Sequence, residues 1–214
     1  MIAVTFALPS ESSDFRRLLG HQGHEIAVLH TGVGEKTCRN RMAPFLDAQP
    51  YELLISSGFA GGVDPSLGVG DLLLAENFSD PQLLARARSI LVGGVARLVT
   101  ADRVIASETE RAELAQKNNA AAVDMETEWI ARACAERKLP MLSLRVISDT
   151  AAAPFPAPPE VLFNLKRQQT EALKLIPYLL KHPSALVRLI RFARQIATAR
   201  ANLGAALYEL IATL

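Results

Sequence analysis

Ala122-Val123-Asp124-Met125-Glu126-Thr127-Glu128, followed by Arg145-Val146-Ile147-Ser148-Asp149-Thr150, decides how this chain reads. The first stretch predicts a short apolar strand that runs through two acids into a helix. The second predicts an apolar strand that ends on another carboxylate. Strands alternating with helices bring such ends to one edge of a layered sheet. Acids placed there can divide labour. An ionised carboxylate accepts from two hydroxyls at once. A desolvated one keeps some of its proton near neutrality and can pass it on.

The alternation continues outward from this pair. Residues 2–8 are a short apolar run that predicts the first strand, and Pro9-Ser10-Glu11 opens a helix to about Leu19. Residues 25–30 predict a second strand, and Thr31-Gly32-Val33-Gly34 a tight turn into another helix. Residues 52–57 predict a third strand, closed by the turn Gly58-Phe59-Ala60-Gly61-Gly62, and residues 69–75 a fourth. Pro81 to Arg88 is ambiguous. Residues 96–100 read as a strand, and Ser107 and Glu110 have the spacing of a capping box at a helix start. A helix over 127–138 and a buried strand over 141–147 follow. The run Ala151-Ala152-Ala153-Pro154-Phe155-Pro156-Ala157-Pro158-Pro159 excludes helix and central strand. It is either a plain connection or a flap over a site. Helices over about 160–176 and 184–212 complete the chain.

The 214 residues are 50% hydrophobic and 21% charged, with a net charge of +1. That suits one globular α/β domain over 1–214, with a helical extension from residue 160. It excludes a general affinity for nucleic acid. Basic charge collects late: residues 160–214 hold eight Lys/Arg against three Glu. Cys38 and Cys134 form no CxxC pair, which predicts reduced thiols in a cytoplasmic protein. The start has no basic leader, and no apolar run reaches the ~18 residues of a membrane span. His21, His24, His30 and His182 lack ligand spacing with acids or cysteines, so no metal is expected.

Each candidate has a chemical and a plain reading. Asp149 is the candidate proton donor; the plain reading is a helix cap or ion-pair acid. Glu126 is the candidate hydroxyl grip; the plain reading is a first-turn acid favoured by the helix dipole, which fits Glu128 better. Met125 packs under a ligand or simply fills core. Glu11 directly follows the first strand and can orient or deprotonate a water, or it is an N-terminal helix acid. The glycines from Gly58 to Gly70 let backbone approach a ligand, whereas Asp64-Pro65 and Gly70-Asp71 are turn residues. Thr31 to Gly34 can present amides to an anion, without the GK[ST] ending of a Walker loop.

Five segments in order resemble the purine nucleoside phosphorylase and nucleosidase superfamily over residues 1–150. They are Ala7-Leu8-Pro9-Ser10-Glu11, Thr31-Gly32-Val33-Gly34, Ser57-Gly58-Phe59-Ala60-Gly61-Gly62-Val63-Asp64-Pro65, Val123-Asp124-Met125-Glu126 and Arg145-Val146-Ile147-Ser148-Asp149. Methylthioadenosine/S-adenosylhomocysteine nucleosidases are the most similar branch. The resemblance implies a three-layer αβα sandwich around a twisted mixed sheet. It also implies cleavage of the N-glycosidic bond of a purine nucleoside, an adenosine carrying a 5′ substituent. Glu11 is implied near the nucleophilic water, Met125 and Glu126 on the ribose, Asp149 and Ser148 at the purine. Val104 and Ile105 are implied against the base. Gly32, Gly34, Ser57, Gly58, Phe59 and Ala60 fall in the loops on the nucleophile or phosphate side. No cofactor is implied, apart from inorganic phosphate as co-substrate of a phosphorylase. A homodimer is implied, because family sites border a subunit contact.

The chain also departs from the pattern. Bacterial phosphorylases of this kind carry an arginine before the glycine turn; here Ile55-Ser56-Ser57 has none, and Phe59 stands where serine is usual. Both changes favour hydrolysis. The alternatives are phosphorolysis, with Arg39 or Arg41 supplying charge to phosphate, and a non-catalytic nucleoside-binding protein. Val104 replaces an aromatic that stacks on the base. Residues 160–214 are more similar to the hopanoid-associated phosphorylases, which implies a lipid at the 5′ position. There Leu186, Leu189, Ile190, Ala193, Ile196, Leu203, Leu207, Leu210 and Ile211 form an apolar stripe beside Arg188, Arg191 and Arg194. Such a helix either packs on the protein or lies on an anionic membrane surface.

Overall fold

The computed structural model describes residues 1–20, 25–155, 163–164, 169–170 and 184–214. One sheet contains β1 (Ile2–Phe6), β2 (Ile26–His30), β3 (Leu53–Gly62), β4 (Leu72–Ala75), β5 (Gly94–Ala96), β6 (Leu98–Thr100), β7 (Ala122–Asp124) and β8 (Met141–Asp149). Its path runs β2-β1-β3-β8-β4-β5, with β7 attached to β3 and β6 to β7. β1, β2, β3 and β8 are parallel, while β4 opposes β8 and β7 opposes β3. The sheet is therefore mixed, as expected. The described helices are α1 (Ser13–Leu19), α2 (Glu35–Asp47), α3 (Pro81–Ile90), α4 (Glu108–Asn118), α5 (Thr127–Glu136) and α6 (Ser184–Thr213).

Strand alternation sets the layers. Successive side chains point to opposite faces, so Val4, Ile55 and Leu142 join one core and Ala3, Leu54 and Met141 the other. The first core is completed by Phe15 of α1, Ala87 of α3, and Leu203, Leu207 and Leu210 of α6. The second is completed by Cys38 and Met42 of α2 and by Ile130 and Cys134 of α5. Phe15, Met42 and Leu203 are fully buried, which stabilises by about 1.5–3 kcal/mol for each such side chain. Both thiols are buried in the α2/α5 layer, and burial pushes each up to about 12. Two helical layers on one sheet make the expected αβα sandwich.

Several boundaries differ from expectation, each for a physical reason. Gly58-Phe59-Ala60-Gly61-Gly62 does not close β3; it continues it, pairing Gly58 with Arg145 and Ala60 with Ile147 of β8. Missing side chains suggest a turn locally, but two flanking strands supply the ladder. Pro81–Ile90 is a helix: Asp80 accepts from the amides of Gln82 and Leu83, and Pro81 occupies the first turn. β4 begins at Leu72, because Asp71 turns back to accept from the Gly68 amide at 2.8 Å. Glu11 precedes α1, which starts only at Ser13. Ser107 caps α4 as its spacing predicts, accepting from the Glu110 amide at 3.0 Å. Where a helix over 160–176 is expected, β9 (Phe163–Asn164) pairs antiparallel with β10 (Gln169–Thr170). The rest of that stretch, with Pro156 to Pro159, lies outside the described residues.

The apolar stripe of α6 divides in two. Leu203, Leu207, Leu210 and Ile211 are buried, so this half is a packing helix. Toward its start Leu186 and Ile190 are about half exposed, at 49% and 47%, beside exposed Arg188, Arg191 and Arg194. No helix among the described residues is long and apolar enough to cross a membrane.

Candidate active site

A cavity opens at the edge where β1, β3 and β8 end. Its wall contains Glu11, Phe59, Ala60, Val104, Ile105, Met125, Glu126, Ser148 and Asp149. These come from five separate parts of the chain, and each is a residue singled out from sequence. Gly32, Gly34, Ser57 and Gly58 are not in the wall. Two of these act one step behind it. The Gly34 amide donates to Glu126 Oε1 at 2.9 Å, so the anion that this glycine turn receives is the protein's own carboxylate. A Cβ on Gly58 would lie 3.0 Å from Glu11 Oε2, so any side chain there would push the acid aside. Ser57 is buried, and its hydroxyl has no partner among the described residues.

Three local arrangements aim the acids. Glu126 stands at the start of α5 but does not cap it; Asp124 does, accepting from the Thr127 amide at 3.1 Å. That leaves the Glu126 carboxylate to the cavity. Glu11 sits in the turn after β1, with Oε2 accepting from the Ala7 amide at 3.1 Å. At the end of β8 the register slips: Ala60 faces Ile147 and Gly61 faces Asp149, leaving Ser148 as the extra residue of a bulge. In a regular strand neighbours point to opposite faces. The bulge lets Ser148 and Asp149 both reach the cavity. Ser148 Oγ then donates to Asp149 Oδ1 at 2.6 Å.

Sequence reasoning missed Arg111. It lies in the first turn of α4, 3% exposed, and donates to Asp149 Oδ2. Asp149 therefore belongs to an ion pair and is not an isolated acid at a strand end. The one available signal was a cation in a helix first turn, where the dipole disfavours it. Val33, Arg103 and Phe155 also line the cavity. Phe155 comes from the proline-rich run, so that run reaches the site, and its ring lies 5.5 Å from that of Phe192 on α6. Arg39 pairs with Glu35 at 3.0 Å and Arg41 donates to the His30 carbonyl at 2.9 Å; neither lines the cavity.

Beneath the acids Arg145 and Asp124 form a buried pair at 3.1 Å. This guanidinium also donates to the Ser56 and Leu144 carbonyls at 2.8 and 3.0 Å, to Ser56 Oγ at 2.8 Å, and to Thr127 Oγ1. All five of its N–H groups are used.

Burial dominates the two carboxyls above this pair. It raises Glu11 to about 7, against a smaller lowering by Arg145. It raises Glu126 to about 8, helped by the charge of Asp124 and opposed by the Gly34 amide. A raised acid binds its proton more tightly folded than unfolded. Stability from these groups is therefore greatest at low pH and falls as pH climbs from the unfolded value near 4.5 through about 7 and 8. Urea unfolding across pH 5–9 should show that decline, by a few kcal/mol in all. Glu126→Gln should flatten it, and an unchanged slope would show that Glu126 is ionised throughout.

Comparison with known proteins bears on the family and the fold. The Phosphorylase superfamily profile matches residues 76–181. A 5′-methylthioadenosine/S-adenosylhomocysteine nucleosidase of Staphylococcus epidermidis is 25% identical over 158 residues, 59% of this chain and 69% of the relative. Futalosine hydrolase of Helicobacter pylori superposes over 100% of this chain and 97% of its own, with TM-score 0.74 and 18% identity. The methylthioadenosine/S-adenosylhomocysteine nucleosidase of S. pneumoniae, solved with a transition-state inhibitor, covers 99% and 98%, with TM-score 0.74 and 19% identity. Profile, relatives and fold together support the nucleoside phosphorylase and nucleosidase superfamily, whose members cleave the N-glycosidic bond of nucleosides, as what this chain is similar to.

Proposed function

We propose that the chain is a purine nucleosidase acting by hydrolysis on an adenosine with a 5′ substituent. The observation that carries this reading is the meeting of Glu11, Met125, Glu126, Ser148 and Asp149 in one cavity. Bond breaking makes the sugar cation-like and sends electrons into the purine. Asp149 protonates N7 as the base leaves. Glu126 accepts from the two ribose hydroxyls, Met125 lies under the sugar, and Val104, Ile105 and Ser148 frame the base. Glu11 takes a proton from the attacking water, a task for its ionised form. Buried carboxylates around a developing cation stabilise it electrostatically.

Water is favoured over phosphate because the arginines nearest the acids are committed. Arg145 is saturated by Asp124, Ser56, Leu144 and Thr127, and Arg111 is paired with Asp149. Arg103, at the mouth, is bound to Glu110 at 2.7 Å. The names of the relatives, nucleosidases and a hydrolase, support the same choice.

The test is adenine release from methylthioadenosine, S-adenosylhomocysteine and adenosine, each with and without phosphate. Release without phosphate is the expected result. Release that requires phosphate would replace water by phosphate and make the protein a phosphorylase. Saturable binding of all three without turnover would leave a binding protein.

A further inference from the structure

We propose that Arg111 is a positioning residue for the proton donor, fixing the Asp149 carboxyl and stabilising the anion left when its proton has gone to the purine. This rests on the nucleosidase reading above. Arg111 Nη2 donates to Asp149 Oδ2. Nη1 donates to the Gly62 carbonyl at 2.9 Å and reaches the Asp149 main-chain carbonyl at 3.5 Å. One planar fork thus holds the acid's side chain, its own backbone and the neighbouring strand. Ser148 Oγ holds the other carboxyl oxygen at 2.6 Å, so both oxygens are oriented. Gly61 makes the room: a Cβ there would lie 3.3 Å from both Arg111 Nη1 and Asp149 Oδ2.

The charge has a role in the step itself. To react, Asp149 first takes up a proton from solvent, so that Arg111 bonds the neutral acid; that proton then leaves for N7, and the C1′–N9 bonding pair moves into the purine. Water oxygen bonds to C1′ and gives its proton to Glu11. Asp149 is left as an anion in a site where it is 2% exposed. Arg111 already touches it, and attracts the anion more than the neutral acid. Its contribution therefore grows toward the transition state, which predicts an effect on kcat more than on KM. A lysine cannot replace it fully, because a point charge lacks the fork.

Adenine release and thermal unfolding are measured for Arg111→Met, Arg111→Lys, Asp149→Asn and the double variant. Arg111→Met should lower kcat on the order of 10- to 100-fold, with KM within about three-fold. Arg111→Lys should fall between it and the unaltered chain. With Asp149→Asn in place, adding Arg111→Met should lower kcat no further. The double variant should also melt higher than Arg111→Met alone, because no buried charge is left without its partner. In Arg111→Ala, free guanidinium chloride should restore part of kcat. A kcat within about two-fold of the unaltered chain in Arg111→Met and Arg111→Lys would overturn the proposal. So would an undiminished loss from Arg111→Met when Asp149 is already Asn, the pattern of a merely structural arginine. If Arg111→Met does not fold, Arg111→Lys and the double variant decide alone. Failure of the unaltered chain to release adenine from any nucleoside would remove the nucleosidase reading itself, and this role with it.

Discussion

Asp149→Asn is expected to lower kcat for adenine release by about 10²- to 10⁴-fold, the usual worth of a positioned general acid. Asparagine keeps the size of the side chain, and its carbonyl still accepts from Arg111 or Ser148. It has no acidic proton for N7. The substitution also leaves the 3%-exposed Arg111 facing a neutral partner, so melting should fall as well. The two effects separate cleanly if kcat is referred to folded protein, and adenine binding by calorimetry serves as the control. Turnover within ten-fold of the unaltered chain, in protein that still binds adenine, would take the proton transfer away from Asp149.

The second large effect is on stability. Arg145→Met or Asp124→Asn should each destabilise by about 3–5 kcal/mol, because either strands one charge of a buried pair. Arg145 and Asp124 side chains are 3% and 1% exposed, too deep for water to take the lost partner's place. Asp124 also accepts from Thr100 Oγ1 at 2.8 Å and from the Thr127 amide, so its loss loosens β6 and the start of α5 together. Against a typical total of about 5–15 kcal/mol, such variants should be partly unfolded in mild urea. Activity should suffer too, since Arg145 is the charge that holds down the acidity loss of Glu11 and Glu126. An unfolding free energy within about 1 kcal/mol of the unaltered chain would show that the site stands without this pair.

Much of the fold is legible in the sequence. The apolar runs of β1 and β8 and the capping box of α4 follow from residue type and spacing alone. So did the acids, because strand-to-helix junctions in a layered fold place them on one edge. What could not be read depends on contacts between distant segments. Three glycines in five residues, Gly58, Gly61 and Gly62, read locally as a turn, and only the flanking β7 and β8 make that stretch a strand. The bulge at Ser148 is a matter of register between β3 and β8, invisible in either strand by itself. Arg111 and Asp149 are 38 residues apart, and Gly34 and Glu126 are 92 apart. Pairings at such separations leave no local period. Asp80-Pro81, by contrast, was a helix start in plain view.

Both of the chain's sulfhydryls, Cys38 and Cys134, lie in the α2/α5 layer, and the layer built on α1, α3 and α6 has none. Their acidity is suppressed enough that almost no thiolate exists at neutral pH while they remain covered. An alkylating reagent would therefore act as a one-sided clock. It would record each time α2 or α5 lifts from the sheet, and stay blind to excursions of the long C-terminal helix on the opposite face.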